Sequence, residues 1–168
     1  IIMRQYVRNI IIYLAALFAI IAFIALFANS LEIYDSLNNA WVTYKVNAYL
    51  GEKTPEYVVY RGTIIPVFGF VIPLVIAIIL IVESFKQKWS ANLKVINTVL
   101  AIILFLCVLC VLLTKEVFLS INYLNESDLL RNGTGPIVSA ISSTCGGVLL
   151  LFATWLPFKS DIKFIERE

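Results

Sequence analysis

The chain has 168 residues, 61% of them hydrophobic and 14% charged, with a mean hydropathy of +0.92 and a formal net charge of +2 at pH 7. A chain so apolar is outside the range of soluble domains of its size, so lipid must solvate much of it. At about 20 apolar residues per crossing, four crossings and their connections use the whole length and leave no room for a separate soluble domain. The 13 basic and 11 acidic side chains are scattered, with no basic run that would follow a phosphate backbone, which argues against a nucleic-acid partner.

The expected fold class is an all-α integral membrane protein, a single four-helix transmembrane domain over residues 1–168. Usage rich in Ile, Asn and Lys points to an AT-rich genome such as that of a low-GC bacterium, and so to the bacterial plasma membrane. Met3 would make a normal start, so Ile1 and Ile2 are read as leftovers of numbering or processing.

Span one is expected over residues 9–28. The apolar run after Arg4 and Arg8 is long for a signal peptide, and Leu26 stands where cleavage would want a small residue, so the run reads as a retained helix. Ala15, Ala19, Ala22 and Ala25 give it a small-residue stripe.

A first outer loop follows over residues 29–62, carrying Tyr34, Trp41, Tyr44, Tyr49, Tyr57 and Tyr60. Rings of this kind favour the headgroup level, so Tyr34, Trp41, Tyr44, Tyr57 and Tyr60 are read as membrane-interface aromatics. Leu31, Tyr34, Leu37, Trp41, Tyr44 and Ala48 fit a helical stripe, while Trp41 to Val46 and Tyr57 to Tyr60 are rich in strand formers. The reading favours an interfacial helix followed by a short extended segment.

Span two, over residues 63–82, holds Pro66 and Pro73 with Gly69 between them. Pro66 falls in the first turn, where a missing N–H matters little. Pro73 cannot donate to the carbonyl of Gly69, which makes Gly69 and Pro73 a candidate hinge, with a static kink as the plainer reading. Span three, over residues 96–113, contains Cys107-x-x-Cys110. That spacing occurs in redox proteins, but an apolar setting makes thiols inert and no loop cysteine is present to pass electrons on, so packing is the favoured role.

The second outer loop, residues 114–135, contains the sequons Asn125-Glu126-Ser127 and Asn132-Gly133-Thr134, the latter close to the next span. In span four, residues 136–157, Gly135, Ser139, Ser143 and Gly147 recur every four residues on what reads as one helix face. Small residues at this spacing let a second backbone approach closely. Packing against span one explains the face, and docking of a partner or a second copy is the alternative.

Orientation follows from Lys and Arg in the flanks. Arg4, Arg8, Lys86, Lys88, Lys94, Lys159, Lys163 and Arg167 lie on one side, against Lys45, Lys53, Arg61, Lys115 and Arg131 on the other. The denser side is cytoplasmic, so both termini are inside and both loops outside.

The layout, with a longer first outer loop, a shorter second one, inner termini and a Gly-rich fourth span, resembles the claudin-like group of four-helix membrane proteins. Leu130, Gly133, Gly135 and then Gly146-Gly147-Val148-Leu149-Leu150 are similar in rhythm to that group's last outer loop and fourth helix. The first-loop signature of claudins proper, a Trp followed by Gly-Leu-Trp and two cysteines, is absent: this loop has Trp41 alone and no cysteine. The resemblance implies architecture and not activity.

The chain has no histidine. With no charge inside the expected spans, no catalytic constellation, metal site or cofactor site can be assembled, so no cofactor is expected. The leading expectation is a non-enzymatic accessory or structural subunit of a larger membrane complex, with lipids and another membrane protein, or further copies of itself, as partners. The alternatives are a small transporter or channel for a lipid or small solute, and a thiol redox enzyme using Cys107 and Cys110. The topology is testable in a variant lacking the native cysteines. Cysteines at Ser90 and Ser160 will be shielded from an impermeant thiol reagent in intact cells, and those at Ser36 and Ser127 labelled; the reverse pattern would invert the orientation.

Overall fold

The computed structural model describes residues 2–53, 58–85, 91–124 and 127–155. Its elements in chain order begin with helix α1 (Ile2–Ile24), continued by a 3-10 turn over Ala25–Phe27. Strands β1 (Leu31–Asp35), β2 (Ala40–Thr43), β3 (Gly51–Lys53) and β4 (Val58–Arg61) follow, and then helices α2 (Ile65–Ser84), α3 (Ala91–Leu112) and the short α4 (Thr114–Ile121). Strand β5 (Leu130–Asn132) leads into the last helix, α5 (Thr134–Trp155).

Helices α1, α2, α3 and α5 are long and apolar enough to cross a membrane. They form a closed ring in which α1 packs on α2, α2 on α3, α3 on α5 and α5 back on α1. Each contributes one inward face to a common core, including Ile12, Ala15, Leu80, Leu104, Leu150 and Ala153, all essentially buried. Their outward residues, such as Leu17, Val75, Leu109 and Phe152, are at least half exposed, as a lipid-facing surface requires. Pro66 occupies the first turn of α2 and is tolerated there, and Pro73 lies inside the same helix, which continues past it to Ser84.

Helices α1, α2 and α3 extend past the expected spans into charged residues. Arg4 and Arg8 before residues 9–28, Glu83 after residues 63–82 and Lys94 before residues 96–113 all lie within helices, and Glu83 is only 7% exposed. The end of span four at Pro157, and Lys86, Lys88, Ser90 and Ser160, lie outside the described residues.

The connections at the loop end overturn one expectation, the interfacial helix over 31–48, and add short strands to what is otherwise the expected helical bundle. Strands β1 and β2 pair antiparallel, with Tyr34 opposite Trp41 and Glu32 opposite Thr43, and β5 from the second loop joins the other edge of β1, with Arg131 opposite Glu32. The sheet order β2-β1-β5 therefore ties the two loops together. A second hairpin pairs β3 with β4.

The helical stripe fails at its middle, where Asp35-Ser36-Leu37-Asn38-Asn39 forms a tight turn. The Asp35 carboxylate accepts from the Leu37 N–H (2.9 Å) and the Asn38 amide (2.7 Å), and Asn39 adopts φ 47°, which asparagine tolerates. Leu37, a member of the stripe, is 93% exposed at the tip. The two hydrogen bonds, from Asn38 first and Leu37 second, hold the Asp35 carboxyl below its usual range.

Helix α4 stands where a loop is expected. It turns Phe118 up under the strands, where Phe118 is fully buried with Leu31, Val46 and Ala48. Asn132 fixes this junction: its carboxamide oxygen accepts from the Lys115 N–H (2.9 Å) and its nitrogen donates to the Leu112 carbonyl (2.7 Å). The end of α3, the start of α4 and β5 are thereby joined by one side chain. The nitrogen of the second sequon is occupied by this bond, and Asn125 of the first lies outside the described residues.

Replacing Asn132 by Ala would strand two backbone groups, and at about 0.5 to 1.5 kcal/mol per hydrogen bond the loss should be about 1 to 3 kcal/mol. Asn132→Asp keeps the acceptor for Lys115 and loses the donor to Leu112, so it should destabilise less than Ala. Unfolding of both variants in lipid nanodiscs checks the order; equal stability of Asn132→Ala and the parent would remove this staple from the fold.

Candidate functional site

Two sets of residues stand out in the sequence, the small-residue face of the last helix and the aromatics of the first loop. Along an α-helix each residue advances by about 100°, so a four-residue spacing drifts by about 40° per step. From Gly135 to Gly147 the drift reaches about 120°, and the structure divides the face accordingly. A Cβ on Gly135 would lie 2.7 Å from the carbonyl oxygen of Ala25, on the α1 side, whereas one on Gly147 would lie 3.0 Å from the ring of Phe105 on α3. Ser139 and Ser143 between them are fully buried, and their hydroxyls have no hydrogen-bond partner among the described residues.

The residue missing from the small-residue face as read from the sequence is Gly146, where a Cβ would stand 3.2 Å from the carbonyl of Ala15. Gly135, Ser139, Ser142 and Gly146, spaced by four, three and four, keep a constant bearing toward α1. A heptad-like spacing was the available signal. On the facing helix Ala15, Ala19, Ala22 and Ala25 are all buried, so small residues from both sides meet. The face is occupied within the chain.

The candidate hinge is also a contact point. A Cβ on Gly69 would lie 2.7 Å from Val111, 3.0 Å from the Cys107 carbonyl and 3.1 Å from the Cys110 Cβ. Pro73, one turn on, is buried in the same α2 helix. Cys107 and Cys110 are free thiols at this α2–α3 seam.

The aromatics separate into two groups. Tyr44 and Tyr60 pack edge-on at 6.4 Å, and both rest on Phe118, at 6.4 and 6.0 Å, so they cover the core beneath the strands. Tyr34 and Trp41 pair at 5.4 Å across β1 and β2. Tyr57 lies outside the described residues. Tyr49, not singled out for a role in the sequence, packs on Phe70 of α2 at 5.4 Å and joins the helical core to the strands. Burial pushes its phenol far above the usual range, and the Thr114 hydroxyl beside it offsets part of that shift.

Alternation along the strands places Glu32, Tyr34, Trp41, Thr43 and Arg131 on one face of the three-stranded sheet. The Arg131 guanidinium binds the Glu32 carboxylate through Nε (2.8 Å) and Nη2 (2.7 Å) and lies 4.4 Å from the centroid of Trp41. Glu32 is 14% exposed and Arg131 50%, so the pair is partly shielded and its geometry, more than its charge, fixes the surface. Asn29 donates to Thr43 at 2.7 Å at the rim. The result is a braced aromatic and charged surface contributed by both loops. Among the described residues no cluster of three or more His, Cys, Asp or Glu could hold a metal.

Comparison of the chain with protein-family models, curated proteins and solved structures gives no match.

The two ends of the glycine face respond differently to a methyl group. Gly135→Ala meets a backbone carbonyl that cannot rotate away and should cost about 1 to 3 kcal/mol by overpacking. Gly147→Ala meets the far edge of the Phe105 ring, the end of a side chain rather than backbone, and should cost less. Thermal unfolding in nanodiscs tests the ranking, and a larger loss at Gly147 would overturn it.

Proposed function

We propose that the chain is a non-enzymatic accessory or structural subunit of a larger membrane complex, with both termini cytoplasmic and the strands on the outer side. The observation that carries this reading is the braced sheet face of Glu32, Tyr34, Trp41, Thr43 and Arg131. Tyr, Trp and Arg are the residues that most often anchor protein interfaces, because they offer large, rigid contact area with a polar handle. Here they stand on a sheet whose register is fixed by both loops, so the surface is organised before any partner arrives.

The bundle supports the same reading. Its interior is filled by Ile12, Ala15, Leu80, Leu104 and Leu150, each no more than 1% exposed, and its small-residue contacts are made within the chain. The four helices serve as a mount for the sheet, lipid covers their outward residues, and recognition of another membrane protein falls to the outer surface.

The native tagged protein, purified in mild detergent, should carry a stoichiometric partner. A Trp41→Ala, Arg131→Ala double variant should stay folded and hold that partner at least about tenfold more weakly, as expected when central interface anchors are lost. Retention of the partner by the double variant would refute the surface assigned here. Solute uptake by the isolated protein in liposomes would instead support a transporter.

A further inference from the structure

At the end of the bundle away from the strands, all four core faces turn polar within one turn of the apolar core. Four residues before Ile12 comes Arg8, three after Leu80 comes Glu83, four before Ala101 comes Asn97, and four after Leu150 comes Thr154. Helical periodicity keeps i and i+4, or i and i+3, on one face, so each of these side chains continues the inward face of its helix just beyond the core. Two cross-helix bonds fix the level: the Ser84 and Tyr13 hydroxyls meet at 2.8 Å, and Trp155 Nε1 donates to Thr98 Oγ1 at 2.9 Å.

Asn97 is the anomaly in this layer. It is 0% exposed, and neither its oxygen nor its nitrogen has a hydrogen-bond partner among the described residues. Among the described residues its own face offers the apolar Leu93, Leu100, Ala101 and Leu104 and the half-buried Lys94, which forms no hydrogen bond with its carboxamide, and Thr154 spends its hydroxyl on the Leu150 carbonyl at 2.7 Å. A dry, unpaired carboxamide in such a place is costly, and buried polar groups of this kind are satisfied by enclosed water. A recess of about 330 Å³ opens at the same end, lined by Tyr6, Asn9, Ile10 and Tyr13, whose hydroxyl is bonded to Ser84 next to Glu83.

We propose that the Asn97 layer is a water-binding site: one or more ordered waters bond the Asn97 carboxamide to the polar groups of the neighbouring helices and exchange with bulk through the recess beside Tyr13. Water fits better than a metal cation, because among the described residues the layer holds a single carboxylate, Glu83, together with the cationic Arg8 and Lys94. It fits better than an apolar ligand because the carboxamide needs both a donor and an acceptor. The site does not depend on the role proposed for the outer sheet.

The test uses the full chain in lipid nanodiscs with ¹⁵N-labelled asparagine. Magnetisation transferred from water should reach the Asn97 side-chain NH₂, a signal assigned by its loss in Asn97→Ser, which keeps a polar group at the site. Asn97→Leu, similar in size, should lower the thermal midpoint, because it expels the water and strips the layer of a shared partner. Absence of transfer to Asn97 would overturn the proposal. So would a raised midpoint in Asn97→Leu, the sign of a dry and unsatisfied amide.

Discussion

The start of α5 lies against the backbone that links α1 to β1, and most of the structure depends on that line of contact. Gly133 donates to the Ser30 carbonyl at 3.0 Å and Gly135 to the Asn29 carbonyl at 2.9 Å. Just before them, residues 130–132 pair with 31–33 as strands, and just after them α5 descends along α1 with Gly146 against the carbonyl of Ala15. Strand pairing and helix packing are therefore one continuous seam. In a bilayer, apolar burial favours lipid and a neighbouring helix about equally, so close packing and hydrogen bonds decide which helices associate. A side chain at Gly135 would part the backbones where the seam changes from sheet to helix.

The two ends of the bundle solve the problem of closure differently. At the loop end the core continues without a break from Phe70 and Val111, through Tyr49, to Phe118 beneath the strands. Side-chain amides there satisfy chain breaks directly: Asn132 joins α3, α4 and β5, and Asn122 accepts from the Arg61 N–H at 2.7 Å and donates to its carbonyl at 3.1 Å. At the other end the core gives way to Arg8, Glu83, Asn97 and Thr154, residues that need polar company. The loop end is held by direct contacts among neighbouring elements, and the far end is organised around polar groups.

This asymmetry bears on where the recognition proposed above would take place. The sheet is the part of the chain in which side chains of different character, Glu32, Trp41 and Arg131, are held in fixed relation on an accessible face. The lipid-facing helix surfaces carry Leu, Ile, Val and Phe, which any apolar environment would accommodate. A surface that discriminates between partners needs groups whose burial is costly unless matched, and the sheet supplies them.

Much of the fold could be read from hydropathy because the bilayer imposes it: a run of about 20 apolar residues must satisfy its own backbone, and helix is the local way to do so. Pro66 and the alanine spacing were legible for the same local reason. Glu83 and Asn97 show the limit, since a polar residue near a span end reads equally well as a solvated terminus or as a core position. The loop residues show it more sharply. Leu31, Tyr34, Leu37, Trp41 and Tyr44 suit a helical spacing, yet the chain pairs 31–35 with 40–43, and residues 130–132 lie on the other edge of β1. The sequence by itself determined where four helices form, because that is a matter of each segment and its solvent. Only the tertiary structure decided that the loops become a sheet and that Gly135 and Gly146 face α1 while Gly147 faces α3, because strand pairs and close backbone contacts take their stability from partners up to about a hundred residues away in the chain.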